Sequence, residues 1–199
     1  MSLELLPALC LFAMVTSITP GPNNTMMLAS GVNFGFRRSL PHIAGISIGF
    51  GVMTIAAGLG LHALLESIPQ AYTVMRCLGA AYMLWLAWKL ANSGPVSAET
   101  ARTARPMSFL AAAAFQWINP KAWVMALGAV TTYLPPQPSL MQLAAMTLVL
   151  CLINAPCVGL WAACGYALRN FLQKPLYLRV FNVSMAVALV ASLYPLLQH

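Results

Sequence analysis

The chain has 199 residues and a formal net charge of +7, yet only 7% of its residues are charged and 60% are hydrophobic. Soluble domains carry about 25% charged residues, so this composition, with a mean hydropathy of +0.79, excludes a soluble domain and predicts an all-α polytopic membrane protein. The basic residues stand in short loops between apolar runs, which fits lipid headgroups and membrane orientation better than nucleic acid.

The first apolar run, Leu3 to Phe34, is 32 residues, roughly 48 Å as one straight helix, where a bilayer core needs about 20 residues. Its start has no basic region of the kind that opens a secretory signal peptide, so it is expected to be a retained span. The stretch Thr19-Pro20-Gly21-Pro22-Asn23-Asn24 breaks it. Pro20 and Pro22 remove two backbone donors, and Asn23 and Asn24 stand where a helix N-terminus restarts, at the positive end of its dipole. Broken backbone at membrane depth is tolerated where it is buried in protein or lines a cavity, and broken helices near the midplane are typical transporter sites. A kinked or re-entrant structural helix is the plainer alternative.

A short basic loop with Arg37 and Arg38 follows, then a second span, His42 to Leu65, with Gly45 and Gly49 in a G-x-x-x-G pair suited to close helix crossing. A tight turn around Glu66, Pro69 and Gln70 leads to a third span, Tyr72 to Leu90, ending in the interfacial anchors Trp85, Trp88 and Lys89. The polar linker 92–106 is the expected boundary between two halves, 1–91 and 107–199. The fourth span, Met107 to Leu134, is again too long for one crossing and contains Gln116-Trp117-Ile118-Asn119-Pro120-Lys121. A proline-rich turn precedes the fifth span, Leu140 to Leu168, expected to bend near Asn154 and Pro156. The sixth runs from about Leu176 to Leu197.

Eight basic residues (Arg37, Arg38, Lys89, Arg102, Arg105, Arg169, Lys174 and Arg179) follow or end spans one, three and five, against Arg76 alone on the other side. That asymmetry places those loops in the cytoplasm and both termini outside. Three spans per half then give two inverted three-helix repeats, each opening with a helix broken at proline, the pattern of an inverted-repeat transporter.

Lys121 lies well inside a span beside a break, where a charge is a functional candidate by default. It could meet a substrate carboxylate, helped by the helix N-terminus after Pro120, or it could snorkel or pair with freed carbonyls. Asn23, Asn24, Gln116, Asn119 and Asn154 are amides that both donate and accept, suited to a small zwitterion or to bridging helices. The chain has no aspartate, and Glu4, Glu66 and Glu99 lie at span ends or in loops. His42 reads as an interfacial anchor near an end of span two. No metal-ligand spacing, nucleophile–base set or phosphate loop is present, so neither enzyme chemistry nor a cofactor is expected.

The chain resembles the LysE/RhtB family of bacterial amino-acid exporters over essentially its whole length. The resemblance is carried by Thr19-Pro20-Gly21-Pro22-Asn23, by Gly79-Ala80-Ala81-Tyr82 with Trp85, Trp88 and Lys89, and by Asn119-Pro120-Lys121-Ala122. The run Pro20 to Asn24 and the stretch Ala44 to Phe50 look most similar to the cysteine and O-acetylserine branch. The resemblance implies inner-membrane efflux of small amino acids or related metabolites, such as cysteine, O-acetylserine, threonine or homoserine, by proton-coupled antiport with alternating access. The substrate site it implies takes in Pro20, Gly21, Pro22, Asn23, Asn24, Gln116, Asn119, Pro120, Lys121 and Asn154. With no mid-span carboxylate, the coupling group stays open and a neutral substrate is favoured over lysine or arginine. A homo-oligomer is compatible with the sequence. The competing reading, a membrane thiol–disulfide electron carrier of similar architecture, needs a cysteine in each half close enough to pair. Cys10 stands in span one, but span four has none.

Overall fold

The computed structural model describes residues 3–61, 69–92 and 105–192. Within them the regular elements are all helices. A short turn at Leu3–Leu5 leads into α1, Leu6–Ile18. The chain breaks over Thr19 to Gly21 and restarts as α2, Pro22–Phe34, with proline in the first turn where its missing N–H costs nothing. Gly35, at φ 84°, connects α2 directly to α3, Phe36–Ala56, which runs into a π-turn at Ala57–Leu61. A single left-handed residue therefore suffices where a basic loop is expected from the sequence, and Arg37 and Arg38 lie in the first turn of α3. Helix α4 is Pro69–Ala91.

The fourth apolar run is also two helices. Helix α5, Phe109–Gln116, is capped by Ser108, whose Oγ accepts from the Ala111 N–H at 3.2 Å. Helix α6, Pro120–Tyr133, restarts after a break at Trp117 to Asn119. Helix α7, Leu140–Leu168, is continuous through Pro156 and starts at a reciprocal Ser139–Gln142 capping box. It is 29 residues, about 44 Å. Helix α8 is Pro175–Ala191. The linker expected at 92–106 falls largely outside the described residues, as do His62, Glu66 and Glu99.

Helix α7 is the central post. Helices α1, α2 and α3 all pack on it, α3 also packs on α5, and α4 packs on α8. The crossings are close because small residues sit at them. A side chain on Gly31 would collide with the Ala162 carbonyl, and one on Gly165 with the Leu28 carbonyl, across α2 and α7. The Gly45–Gly49 pair meets α5, at Phe109, Ala112 and Ala113.

Large apolar side chains cover the outside, among them Leu11, Val52, Leu152, Val187 and Trp88. An apolar surface of that extent suits acyl chains rather than water. Three basic residues lie over aromatic rings at helix ends, Arg38 over Phe34, Lys89 over Trp85 and Lys174 over Tyr177, at 5.9, 5.1 and 5.5 Å from the ring centres. All three belong to the basic clusters that follow or end spans one, three and five.

Candidate functional site

The break between α1 and α2 strips five consecutive carbonyls, Thr16 to Pro20, of the N–H partners an unbroken helix would supply. Each is met by a side chain. Thr19 Oγ1 donates to the Thr16 carbonyl at 3.0 Å. Asn24 Nδ2 donates to those of Ser17 and Thr19, at 2.8 and 2.7 Å. Trp161 Nε1, from α7, donates to Ile18 at 3.1 Å. Lys121 Nζ, from α6, donates to Thr19 O at 2.6 Å, Thr19 Oγ1 at 2.9 Å and Pro20 O at 3.2 Å. Ser17 and Asn24 are buried, where an unpaired carbonyl is costly, while Thr19 and Pro20 lie exposed at the edge of the layer with Lys121 half-buried beside them, and together these bonds hold the broken backbone in place.

The second break meets most of its backbone groups from within its own segment. The N–H groups of Trp117, Ile118 and Asn119 close tight turns onto Ala114, Phe115 and Gln116, and the Trp117 carbonyl takes Trp123 Nε1 at 2.8 Å. Asn119 is the N-cap of α6, its side-chain oxygen accepting from the Lys121 N–H at 3.2 Å. The helix N-terminus after Pro120 is thus already capped by its own chain. Helix α2, starting from Gly21, has no side-chain cap.

The two breaks touch. Beyond the Lys121 contacts, Asn23 and Gln116 exchange amide hydrogen bonds, Asn23 Nδ2 to Gln116 Oε1 at 2.8 Å and Gln116 Nε2 to Asn23 Oδ1 at 3.2 Å. Asn154 extends the layer, donating to Ser17 Oγ at 3.1 Å and accepting from Ser47 Oγ at 3.2 Å, which ties α7 to α1 and α3. All ten residues singled out from the sequence therefore lie in or beside one polar layer, and Gly21, Asn23, Asn24, Gln116, Asn119, Lys121 and Asn154 line a single cavity. The cavity is about 20 Å³, room for one or two waters. Phe50, Ala122, Met125 and Val158 supply the apolar part of its lining.

Several participants escape notice in the sequence: Ser17, Ser47 and Trp161, and Thr19 as a ligand rather than a spacer. Ser17 and Thr19 lie in the turn just before the first proline, which is the available signal. Ser47 and Trp161 carry none, because only packing brings them to the break. His42 is a correction. It is 2% exposed, with both ring nitrogens unpartnered among the described residues, so it lies inside the bundle rather than at an interface. The five cysteines are all unpaired thiols. No cluster of metal-ligating side chains occurs among the described residues.

The profile of the LysE type translocator family matches residues 14–192, which takes in both breaks and every residue of the polar layer. The chain belongs to the LysE translocator family. It is 34% identical, over 96% of both chains, to the Cysteine/O-acetylserine efflux protein of Escherichia coli strain K12. It is 35% identical, over 94% of both chains, to the protein of that name from Shigella flexneri. No solved structure matches it. As a LysE translocator it is a membrane protein, in keeping with its apolar exterior, and Pro20-Gly21-Pro22-Asn23 and Asn119-Pro120-Lys121, two of the segments on which the resemblance rests, meet in the polar layer.

Proposed function

We propose that this LysE translocator exports small neutral amino acids or related metabolites, cysteine and O-acetylserine foremost, across the bacterial inner membrane, and that the polar layer between the two breaks is its substrate site. The observation that carries this reading is the reach of Lys121 from the second break to the carbonyls of the first. It gathers donors, acceptors and one cation beside a cavity with no carboxylate among its lining residues. Such a set favours a zwitterion with an uncharged side chain. Asn23, Asn24, Gln116, Asn119 and Asn154 supply its amides, and the dipole of the uncapped α2 adds positive potential.

The same reading has six spans in two inverted halves, 1–91 and 107–199, with both termini outside and transport by alternating access against a proton gradient. Helix packing supports an approximate two-fold relation. Span two packs on the first segment of span four as span five packs on span one, while spans two and five, and spans three and six, pack on each other. Opening would require the two breaks to separate, since the cavity is too small for an amino acid.

The test is efflux of labelled cysteine and O-acetylserine from proteoliposomes, with and without an imposed pH gradient. Export by the wild type, accelerated when the receiving side is acid, is expected, and Lys121→Met should lose most of it at matched protein amounts. No efflux of any neutral amino acid would sink the export reading; indifference to the gradient would remove the antiport alone.

A further inference from the structure

The three acceptors around Lys121 Nζ are the Thr19 carbonyl, the Thr19 hydroxyl and the Pro20 carbonyl, at 2.6, 2.9 and 3.2 Å. An ammonium has three N–H donors and no acceptor, so this trio satisfies one completely, without any anion. The cradle is built by the chain itself. The break leaves both carbonyls without helical N–H partners, and Gly21 leaves the space, since a Cβ there would stand 2.7 Å from Lys121 Cδ and 3.1 Å from its Nζ. The second break offers no comparable trio, because the carbonyls of Ala114, Phe115, Gln116, Trp117 and Asn119 are taken by its own turns, by the first turn of α6 and by Trp123.

We propose that the Thr19–Pro20 trio is the binding subsite for the α-ammonium of the substrate, and that Lys121 is a tethered stand-in occupying it until substrate arrives. This rests on the export reading of the previous subsection and gives it a mechanism of selection. An incoming ammonium takes over the three acceptors. The displaced lysine is then free to meet the carboxylate of the same molecule, so the number of uncompensated charges in the site does not rise. An amine without a carboxylate would leave two ammonium groups and no anion in the site, and like charges at that range repel. Lys121 thereby makes possession of both zwitterion charges the condition for entry. An N-acylated amino acid lacks the ammonium and cannot displace it.

The experiment compares cysteine, cysteamine and N-acetylcysteine, each under reductant, as ligands of the purified full chain in detergent, with affinities from calorimetry. Cysteamine is cysteine without its carboxylate. The wild type should bind cysteine and reject the other two. Lys121→Met removes the competitor and the like charge, so its cysteamine affinity should rise by about tenfold or more while that for cysteine falls. N-acetylcysteine should stay excluded. Lys121→Gln removes the charge but keeps a polar amide, and tests the same gain if the methionine variant does not fold. Adding Thr19→Val to either should reduce the gained cysteamine binding. A lysine variant that folds and shows no gain for cysteamine overturns the subsite, even if the wild type exports cysteine. A wild type that neither binds nor exports cysteine, with the gain present in the variant, leaves the subsite standing and overturns the proposed substrate.

Discussion

Asn24 shows how tightly the polar side chains are committed. Both its amide N–H groups go to carbonyls of the first break, at 2.8 and 2.7 Å. Asn154 is equally engaged between two serines, and Gln116, fully buried, divides its amide between Asn23 and the Ala112 carbonyl. Such groups stabilise chiefly because leaving one of them unpaired is expensive. Asn23→Leu should therefore destabilise the protein by about 1–3 kcal/mol, through the stranded Gln116 oxygen. Gln116→Met should cost a comparable amount. The double variant should cost less than the sum, with a coupling of about 0.5–3 kcal/mol. Thermal unfolding of all four proteins in one detergent measures the cycle, and strict additivity would mean that the two amides do not pair.

At the scale of elements, the glycines of α2 and α7 decide how close those helices come. Gly31 lies against the Ala162 carbonyl and Gly165 against that of Leu28, backbone on backbone, with no flexible side chain to yield. Gly31→Ala should cost about 1–3 kcal/mol or abolish folding, as overpacking does. Gly128, in α6, is the contrasting case. A Cβ there would meet the Phe12 ring at 3.5 Å, an ordinary contact. Gly128→Ala should be tolerated, gaining up to about 1 kcal/mol from the lower conformational entropy of the unfolded chain. Folded yield by size-exclusion chromatography and the melting temperature separate the two. The crossing also sets the site, because α7 carries both Asn154 and Trp161 to the first break.

For the whole molecule, orientation is the open structural question with the clearest reading. Eight basic residues against Arg76 alone predict that the loops after spans one, three and five face the cytoplasm. Reporter fusions after Ser93 and after Gln137 should report cytoplasm and exterior. Both on the same side would end the inverted-repeat proposal. The membrane class, the helical content and both interruptions were legible in the sequence because they depend on local chemistry. A proline lacks its N–H wherever it stands, and an apolar run too long for a bilayer must break, tilt or re-enter. Gly35 was not recognised as a complete connection, because a left-handed residue in a one-residue turn leaves no polar stretch to mark it.

What only the tertiary structure decided is the partner of each freed carbonyl. Lys121 reaches Thr19 across 102 positions, Asn154 reaches Ser17 across 137 and Trp161 reaches Ile18 across 143. A sequence states that these groups need partners. Which ones they find depends on the rotation and register of whole helices, and those follow from where backbone can approach backbone, at Gly31, Gly45, Gly49 and Gly165. For the same reason the sequence could offer Lys121 as either a substrate ligand or a partner of freed carbonyls, while the fold sets its ammonium on Thr19 and Pro20.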